Sequence, residues 1–339
     1  MPCFIIAEAG VNHNGELPLA LDLVDAAAEA GADAVKFQTF QAENVVQPGT
    51  EKAEYQKLHT GAGDQYDMIR RLQLDDHAHL AIARRCTERG IEFMSTPFDG
   101  WATDLLLGLG MRRIKVASGE LTNRPFIEML AGRGLPMIIS TGMASLAEVE
   151  EAVRWIREVS SGAGLGERLT VLHCTSNYPA SLVDVNLRAM VTLRDELGVP
   201  VGYSDHTLGT EISFAAVAMG ASVIEKHFTL DRSLPGPDHQ ASLDPEQLRL
   251  LVKGIRNIES AFGDGIKRPT DSELPVRALV RRSAIARAAM PAGHTLSAAD
   301  LKFLRPGTGI GPENVPFLEG RRLSRPVAAG QLLAWEDLA

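Results

Sequence analysis

Two lysines and two histidines stand where a globular chain ordinarily places apolar side chains. Lys36 and Lys115 interrupt the runs AVKFQTF and RRIKVASG, and His206 and His227 sit in SDHT and EKHF. A buried ammonium is costly without a counter-charge, so each lysine implies a bound anion or a carboxylate neighbour. Ser118, Ser140 and Ser204 close similar runs, and hydroxyls beside lysines make a pocket for phosphate or carboxylate. A salt bridge to Glu8 or Glu120 is the plain structural alternative, and a lysine on a strand also leaves Schiff-base chemistry open. Two imidazoles ending neighbouring strands, ~4.8 Å apart, can reach one divalent ion and leave its other positions to water and substrate oxygens. That donor set favours Mn²⁺, with Mg²⁺ or Co²⁺ as substitutes. Two hydrogen-bonded core histidines would look the same in sequence, and His173 could be a third ligand or a partner behind the pair.

These residues need elements that bring them together. Short apolar or β-branched runs recur at Phe4–Glu8, Ala34–Phe40, Glu92–Phe98, Arg113–Ser118, Pro136–Thr141, Thr170–Thr175, Val201–Ser204 and Ser222–Phe228. Helical patterns lie between them. Leu17–Ala30 carries one apolar face and stops at Gly31, and others begin near Asp75, Trp101, Asn123, Ser145, Asp184, Thr210 and Asp244. The Ser145 helix opens SLAE, a capping-box pattern. Eight strand–helix units in about 260 residues predict an α/β chain folded as a (β/α)8 barrel, the TIM barrel. An open doubly wound sheet is disfavoured, because no GxGxxG follows the first strand. Polar or ionisable residues mark all eight strand ends, among them Glu8, Gln38, Thr96, Lys115, Ser140, Thr175, Ser204 and Glu225. In a barrel such ends share one mouth, where capping alone explains them poorly. The polar stretch Gln41–Leu74 reads as an insertion near that mouth.

The expected domains are a catalytic barrel at 1–265, a linker at 266–279 and a compact module at 280–339. The module holds the repeated phrases MPAGHTLSAADL and VAAGQLLAWEDL. Net charge is −9, which speaks against a nucleic-acid partner. No run approaches the ~18 apolar residues of a membrane span, and the start MPCFIIAEAG lacks a basic leader. Cys3, Cys86 and Cys174 are odd in number without CxxC spacing, so a reduced, cytoplasmic protein is expected.

The ordered phrases IIAEAGVNHNG, AGADAVKFQTF, STPFD, KVASGE, STGM, HCTSNYP, GYSDHT, EKHFTLD and GPDHQASL span nearly the whole chain. Together they resemble bacterial sialic acid synthases, including their relatives that make legionaminic acid. The tail from Arg282 to Ile310 is similar to the antifreeze-like (SAF) domain that ends those enzymes. The resemblance implies a metal on His206 and His227, and phosphoenolpyruvate on Lys36, Thr96, Lys115, Ser118, Ser140 and Ser204. It puts Glu8 and Glu120 at the reacting centre and Tyr178 and Asp238 at the sugar, and Gln38 joins the substrate-contacting set. Arg305 is expected to reach the N-acyl group of the sugar in a partner subunit, within a homodimer whose C-terminal domains are swapped. Ser176 departs from the Asn that some sialic acid synthases have after HCT, which alters one contact to phosphoenolpyruvate.

The implied reaction condenses phosphoenolpyruvate, water and N-acetylmannosamine to N-acetylneuraminate and phosphate by C–O cleavage. The first alternative is a legionaminic acid synthase using 2,4-diacetamido-2,4,6-trideoxymannose. A Schiff-base aldolase and a non-catalytic sugar- or ice-binding protein are more distant readings.

Overall fold

The computed structural model describes residues 2–160 and 168–339, and it separates into two compact units, Met1–Phe262 and Gly263–Ala339. In the first, eight strands form one parallel sheet: β1 (Phe4–Gly10), β2 (Ala34–Thr39), β3 (Glu92–Pro97), β4 (Ile114–Val116), β5 (Met137–Ser140), β6 (Leu169–Cys174), β7 (Val201–Asp205) and β8 (Val223–His227). β1 pairs with both β2 and β8, and β3 and β4, which end the strand order, lie side by side. The sheet therefore curls into a nearly closed barrel, and the expected fold is borne out.

The helices start where side chains satisfy their first free N–H groups. Asp75, Asp99, Ser145 and Asp244 each accept from the backbone three residues on, and Ser145 with Glu148 completes the reciprocal cap read from SLAE. Leu17–Ala30 ends at Gly31, whose left-handed φ of 82° suits a residue without Cβ. One expected start moves. Leu182–Asp184 is a single 3₁₀ turn, and the α-helix begins at Arg188. The insertion after β2 holds three short helices, Ala42–Val45, Glu54–Thr60 and Gln65–Arg71.

Alternation along the strands divides the apolar residues into two cores. Outward residues such as Ile5, Ala7, Val35 and Ile139 pack against the helices, whereas Ile6, Ala34, Met94, Ile138, Leu172 and Val223 plug the barrel's interior. Two residues further along most of these strands, the same inward face turns polar. Glu8, Lys36, Thr96, Ser140, Cys174 and Glu225 stand there, above an apolar floor.

The second unit has its own core, which includes Ala284, Met290, Leu301, Leu318, Val327 and Leu333. Its antiparallel pair is β9 (Ser283–Ala286) with β10 (Leu301–Leu304). The repeated phrases fold alike: each has a left-handed glycine, Gly293 or Gly330, followed by a 3₁₀ turn at Ala298–Asp300 or Trp335–Asp337. A helix, Leu274–Val280, lies within and just beyond the stretch expected to be a linker.

Candidate active site

Above the apolar floor a cavity of about 400 Å³ opens at the C-terminal ends of the strands. Twelve expected residues line it: Glu8, Lys36, Gln38, Thr96, Lys115, Ser118, Ser140, Ser176, Tyr178, Ser204, His206 and His227. Lys36 and Lys115 are almost fully buried, and each has both a carboxylate and a hydroxyl. Lys36 Nζ lies 2.6 Å from Glu8 and 3.7 Å from Glu225, and donates to Thr96 Oγ1 at 2.9 Å. Lys115 Nζ donates to Ser140 Oγ at 2.7 Å and lies 3.6 Å from Glu225. The salt-bridge alternative is thus present, but inside the cavity rather than in place of it.

Four buried charges so close together cannot all keep their ordinary pKa. Burial is the largest influence on Glu8 and raises it, with Glu225 adding to the rise and Lys36 opposing it. Burial also resists the ionisation of Glu225, but Lys115, Lys36 and the Ser204 hydroxyl outweigh it and hold this carboxyl low. Lys36 keeps its proton because Glu225 and Glu8 overcome its burial. Lys115 is pulled down by burial, which Glu225 only partly offsets. Lys115 is therefore the ammonium that an arriving anion would stabilise most.

The two histidines lie side by side at the ends of β7 and β8 with ring centroids 5.6 Å apart, and the Tyr178 ring lies 4.2 Å from His206 and 5.6 Å from His227. Burial lowers both pKa values, that of His227 furthest, so both rings are neutral near pH 7. His206 Nδ1 donates to the Thr175 carbonyl at 2.7 Å, which leaves Nε2 with its lone pair. His227 Nδ1 is buried without a hydrogen-bond partner. The Ser204 hydroxyl, 3.4 Å from His206 Nε2, donates to Glu225 instead, so both neutral rings can offer a lone pair, which is what a divalent ion requires; the residues fit such an ion. Among the described residues no group of three or more His, Cys, Asp or Glu is placed to hold a metal ion. The pair would supply two bonds and leave the others to water and substrate.

Three expected site residues are not among those lining this cavity, and one candidate ligand turns away. Glu120 sits on the turn Ser118–Glu120, outside the cavity wall, and accepts from Asn123 at 2.7 Å. Asp238 lines an adjoining chamber of about 260 Å³ together with Gln38, Tyr178 and His227. Its carboxylate is 3.9 Å from His227 Nδ1, and burial lifts its pKa to about 6. Arg305 follows β10 in the second unit and is exposed. His173 points out of the barrel and hydrogen-bonds the Val185 carbonyl at 2.7 Å, because its neighbours Leu172 and Cys174 take the inward positions. Glu225, a charged strand-eight residue, belongs to the site by a readable signal: it precedes His227 by two and shares its face. Gln56 and Gln65 also line the cavity, contributed by the helices of the insertion.

Residues 23–267 match the NeuB family, and residues 281–339 match the SAF domain. The chain belongs to the NeuB family. The N,N'-diacetyllegionaminic acid synthase of Legionella pneumophila is 53% identical over 100% of this chain and 95% of that protein. Its counterpart in Campylobacter jejuni is 47% identical over 90% of this chain and 91% of its own. Among solved structures, the N-acetylneuraminic acid (sialic acid) synthetase of Leptospira borgpetersenii, in complex with citrate, superposes with a TM-score of 0.70. It is 36% identical and covers 81% of this chain and 90% of its own. Kinship with the sialic acid synthases, read from the motifs, is borne out, and this NeuB member is an enzyme of the synthase type. No helix among the described residues is long and apolar enough to cross a membrane.

Proposed function

We propose that the chain joins phosphoenolpyruvate to the open-chain aldehyde of 2,4-diacetamido-2,4,6-trideoxymannose, giving N,N'-diacetyllegionaminate and phosphate. The observation that carries the reaction class is a single cavity in which two buried lysines, ringed by hydroxyls, face two neutral histidines. The acceptor follows from the comparisons. Identity to the legionaminic acid synthases, 53% and 47%, exceeds the 36% to the sialic acid synthetase. That ordering favours the diacetamido sugar over N-acetylmannosamine, which the motifs alone put first.

In this reading the methylene carbon of phosphoenolpyruvate bonds to the aldehyde carbon. Water then adds at the enol-phosphate carbon, and phosphate leaves with its bridging oxygen. Lys36 and Lys115, with Thr96, Ser118, Ser140, Ser176 and Ser204, hold the carboxylate and phosphate and stabilise the leaving charge. Glu8 is the group for the water's proton, because burial holds its carboxyl above the usual range and lets it both accept and return a proton. His206 and His227 would hold a divalent ion, Mn²⁺ first, which would supply Lewis-acid polarisation of the sugar carbonyl. Gln38, Tyr178 and Asp238 would orient the sugar. The working form would be a cytoplasmic homodimer in which the C-terminal unit of one protomer covers the barrel mouth of the other, Arg305 meeting an acyl carbonyl.

Phosphate release from phosphoenolpyruvate, measured against both acceptors, tests this function. The diacetamido sugar is expected to be turned over with at least ~10-fold higher kcat/KM, since the acceptors differ at two positions, acetamido for hydroxyl at C4 and hydrogen for hydroxyl at C6. A preference for N-acetylmannosamine would restore the sialate reading, and full activity in excess chelator would remove the metal.

A further inference from the structure

Directly behind the two histidines lies an ion pair that no step above uses. On β7 and β8 the inward residues are Ser204, Glu225 and His227, with His206 just past the end of β7. Asp205 and Lys226 therefore point the other way, into the layer between barrel and helices. They are partners in the strand register, their charges are 2.9 Å apart, and both side chains are at most 1% exposed. Asp205 Oδ1 accepts from the Thr207 N–H at 2.9 Å and from its hydroxyl at 2.7 Å. Asp205 Oδ2 accepts from Ser213 at 2.6 Å, and Lys226 donates to the Thr207 carbonyl at 2.7 Å. His206 is thus flanked by Asp205 and by a threonine whose three polar atoms all end on this one pair. His227 directly follows Lys226.

We propose that the Asp205–Lys226 pair positions the two imidazoles, fixing the separation of His206 and His227 from behind the barrel wall. The proposal rests on the reading of these histidines as holders of a divalent ion. Stability is a weak reason for such a pair, since apolar residues of similar volume usually serve a buried site as well. Geometry is a better reason. The His206 ring has a hydrogen bond of its own to Thr175, whereas His227 Nδ1 has none and meets only the Asp238 carboxylate at 3.9 Å, so its aim rests more heavily on its backbone. That backbone is held by the bond from Leu243 N–H to the His227 carbonyl, 2.9 Å, by its pairing with Glu8 of β1, and through the preceding Lys226, whose side chain is locked to Asp205. Asp205 and Lys226 are positioning residues and touch no substrate.

Calorimetric titration of Mn²⁺ into the metal-free full-length protein, without substrates, tests this for the wild type, the Asp205→Asn/Lys226→Met double variant and Thr207→Val. The double variant strands no buried charge, and Thr207→Val deletes one hydrogen bond at nearly constant volume. The wild type should bind Mn²⁺, the double variant ~10–100-fold more weakly, the usual scale for groups behind metal ligands. Thr207→Val should lose roughly three-fold, as befits one hydrogen bond. The KM for phosphoenolpyruvate at saturating Mn²⁺ should stay within about two-fold, because the anion pocket lies on the inward face. Wild-type Mn²⁺ affinity in the folded variants would overturn the proposal, as would a parallel rise in KM, which marks a general loss of structure. Should the double variant not fold, Thr207→Val decides alone. A wild type that binds no Mn²⁺ would instead remove the metal reading itself.

Discussion

Lys36 and Lys115 show how much a neighbour matters to a buried ammonium. Lys36 has two carboxylates within 3.7 Å and keeps its proton, whereas Lys115 has only Glu225, at 3.6 Å, and is pulled down. An anion bound between them gains most from Lys115. Lys115→Met should therefore raise KM for phosphoenolpyruvate and lower kcat, together costing ~10–100-fold in kcat/KM, the worth of a charge-assisted hydrogen bond. Glu120→Gln is the control: outside the cavity, it should stay within about three-fold of wild type. Steady-state phosphate release measures both. A large loss at Glu120 with none at Lys115 would move the reacting centre out of the cavity described here. At this scale most of the site is legible in the sequence, because period two along each strand puts Lys36 with Gln38, and Glu225 with His227, on one face. Glu120 is harder to place from sequence, because the chain leaves β4 for a 3₁₀ turn, where that period no longer applies. His173 misleads because being polar at a strand end does not say which way a side chain points.

At the scale of elements, apolar runs and polar helix caps marked the barrel, while close approaches between strands left no comparable trace. Gly202 is the clearest case. A Cβ there would come within 2.4 Å of the Val223 carbonyl oxygen and 2.7 Å of Leu172 Cδ2. β7 and β8 pack too tightly at that point for any side chain, and only glycine fits. Gly202→Ala should destabilise the barrel by ~1–3 kcal/mol, the usual cost of overpacking. Gly119→Ala, with nothing within 4 Å of its added carbon, should change stability by less than ~0.5 kcal/mol. Urea midpoints of the two variants check this, and equal midpoints would mean that β7 can shift. The helices of the insertion were illegible for a related reason. They run four to seven residues, too short for a period to establish itself, yet they bring Gln56 and Gln65 to the mouth.

The whole molecule contains two consequences that no single element carries. One is acid sensitivity. His13 and His239 are fully buried, and burial chiefly holds them at about 3 and about 4. The unfolded chain takes up these protons near 6.5, the folded chain only below 4, so stability is present above 6.5 and drains away as pH falls towards 4. Each histidine contributes up to ~1.4 kcal/mol per pH unit in that window. Melting at pH 7, 6 and 5 should show the loss, and His239→Gln should flatten its slope; an unchanged slope would assign the acid sensitivity to other groups.

The other is division of labour between units. The barrel carries the anion pocket and the histidine pair, whereas Arg305 belongs to a unit with a core of its own. A unit that folds around its own core and follows β10 with an exposed arginine beside Pro306 and Gly307 has a group to offer a site it does not itself contain. In a symmetric dimer the exchange would be mutual, each protomer completing the other's mouth. An N-acyl carbonyl accepts one guanidinium hydrogen bond, so Arg305→Ala should cost ~10–100-fold in kcat/KM for acylated sugars, mostly through the acceptor's KM. Mixing Arg305→Ala and His227→Ala chains, at a low acceptor concentration where the first alone is strongly impaired, then separates the geometries. If the unit acts in trans, each mixed dimer holds one mouth with both groups intact, and activity should return towards one quarter of wild type, since about half the dimers are mixed and each has one working site. If it acts on its own barrel, every mouth in the mixture lacks one group. Proven subunit exchange with no recovery would then place Arg305 over the barrel of its own chain.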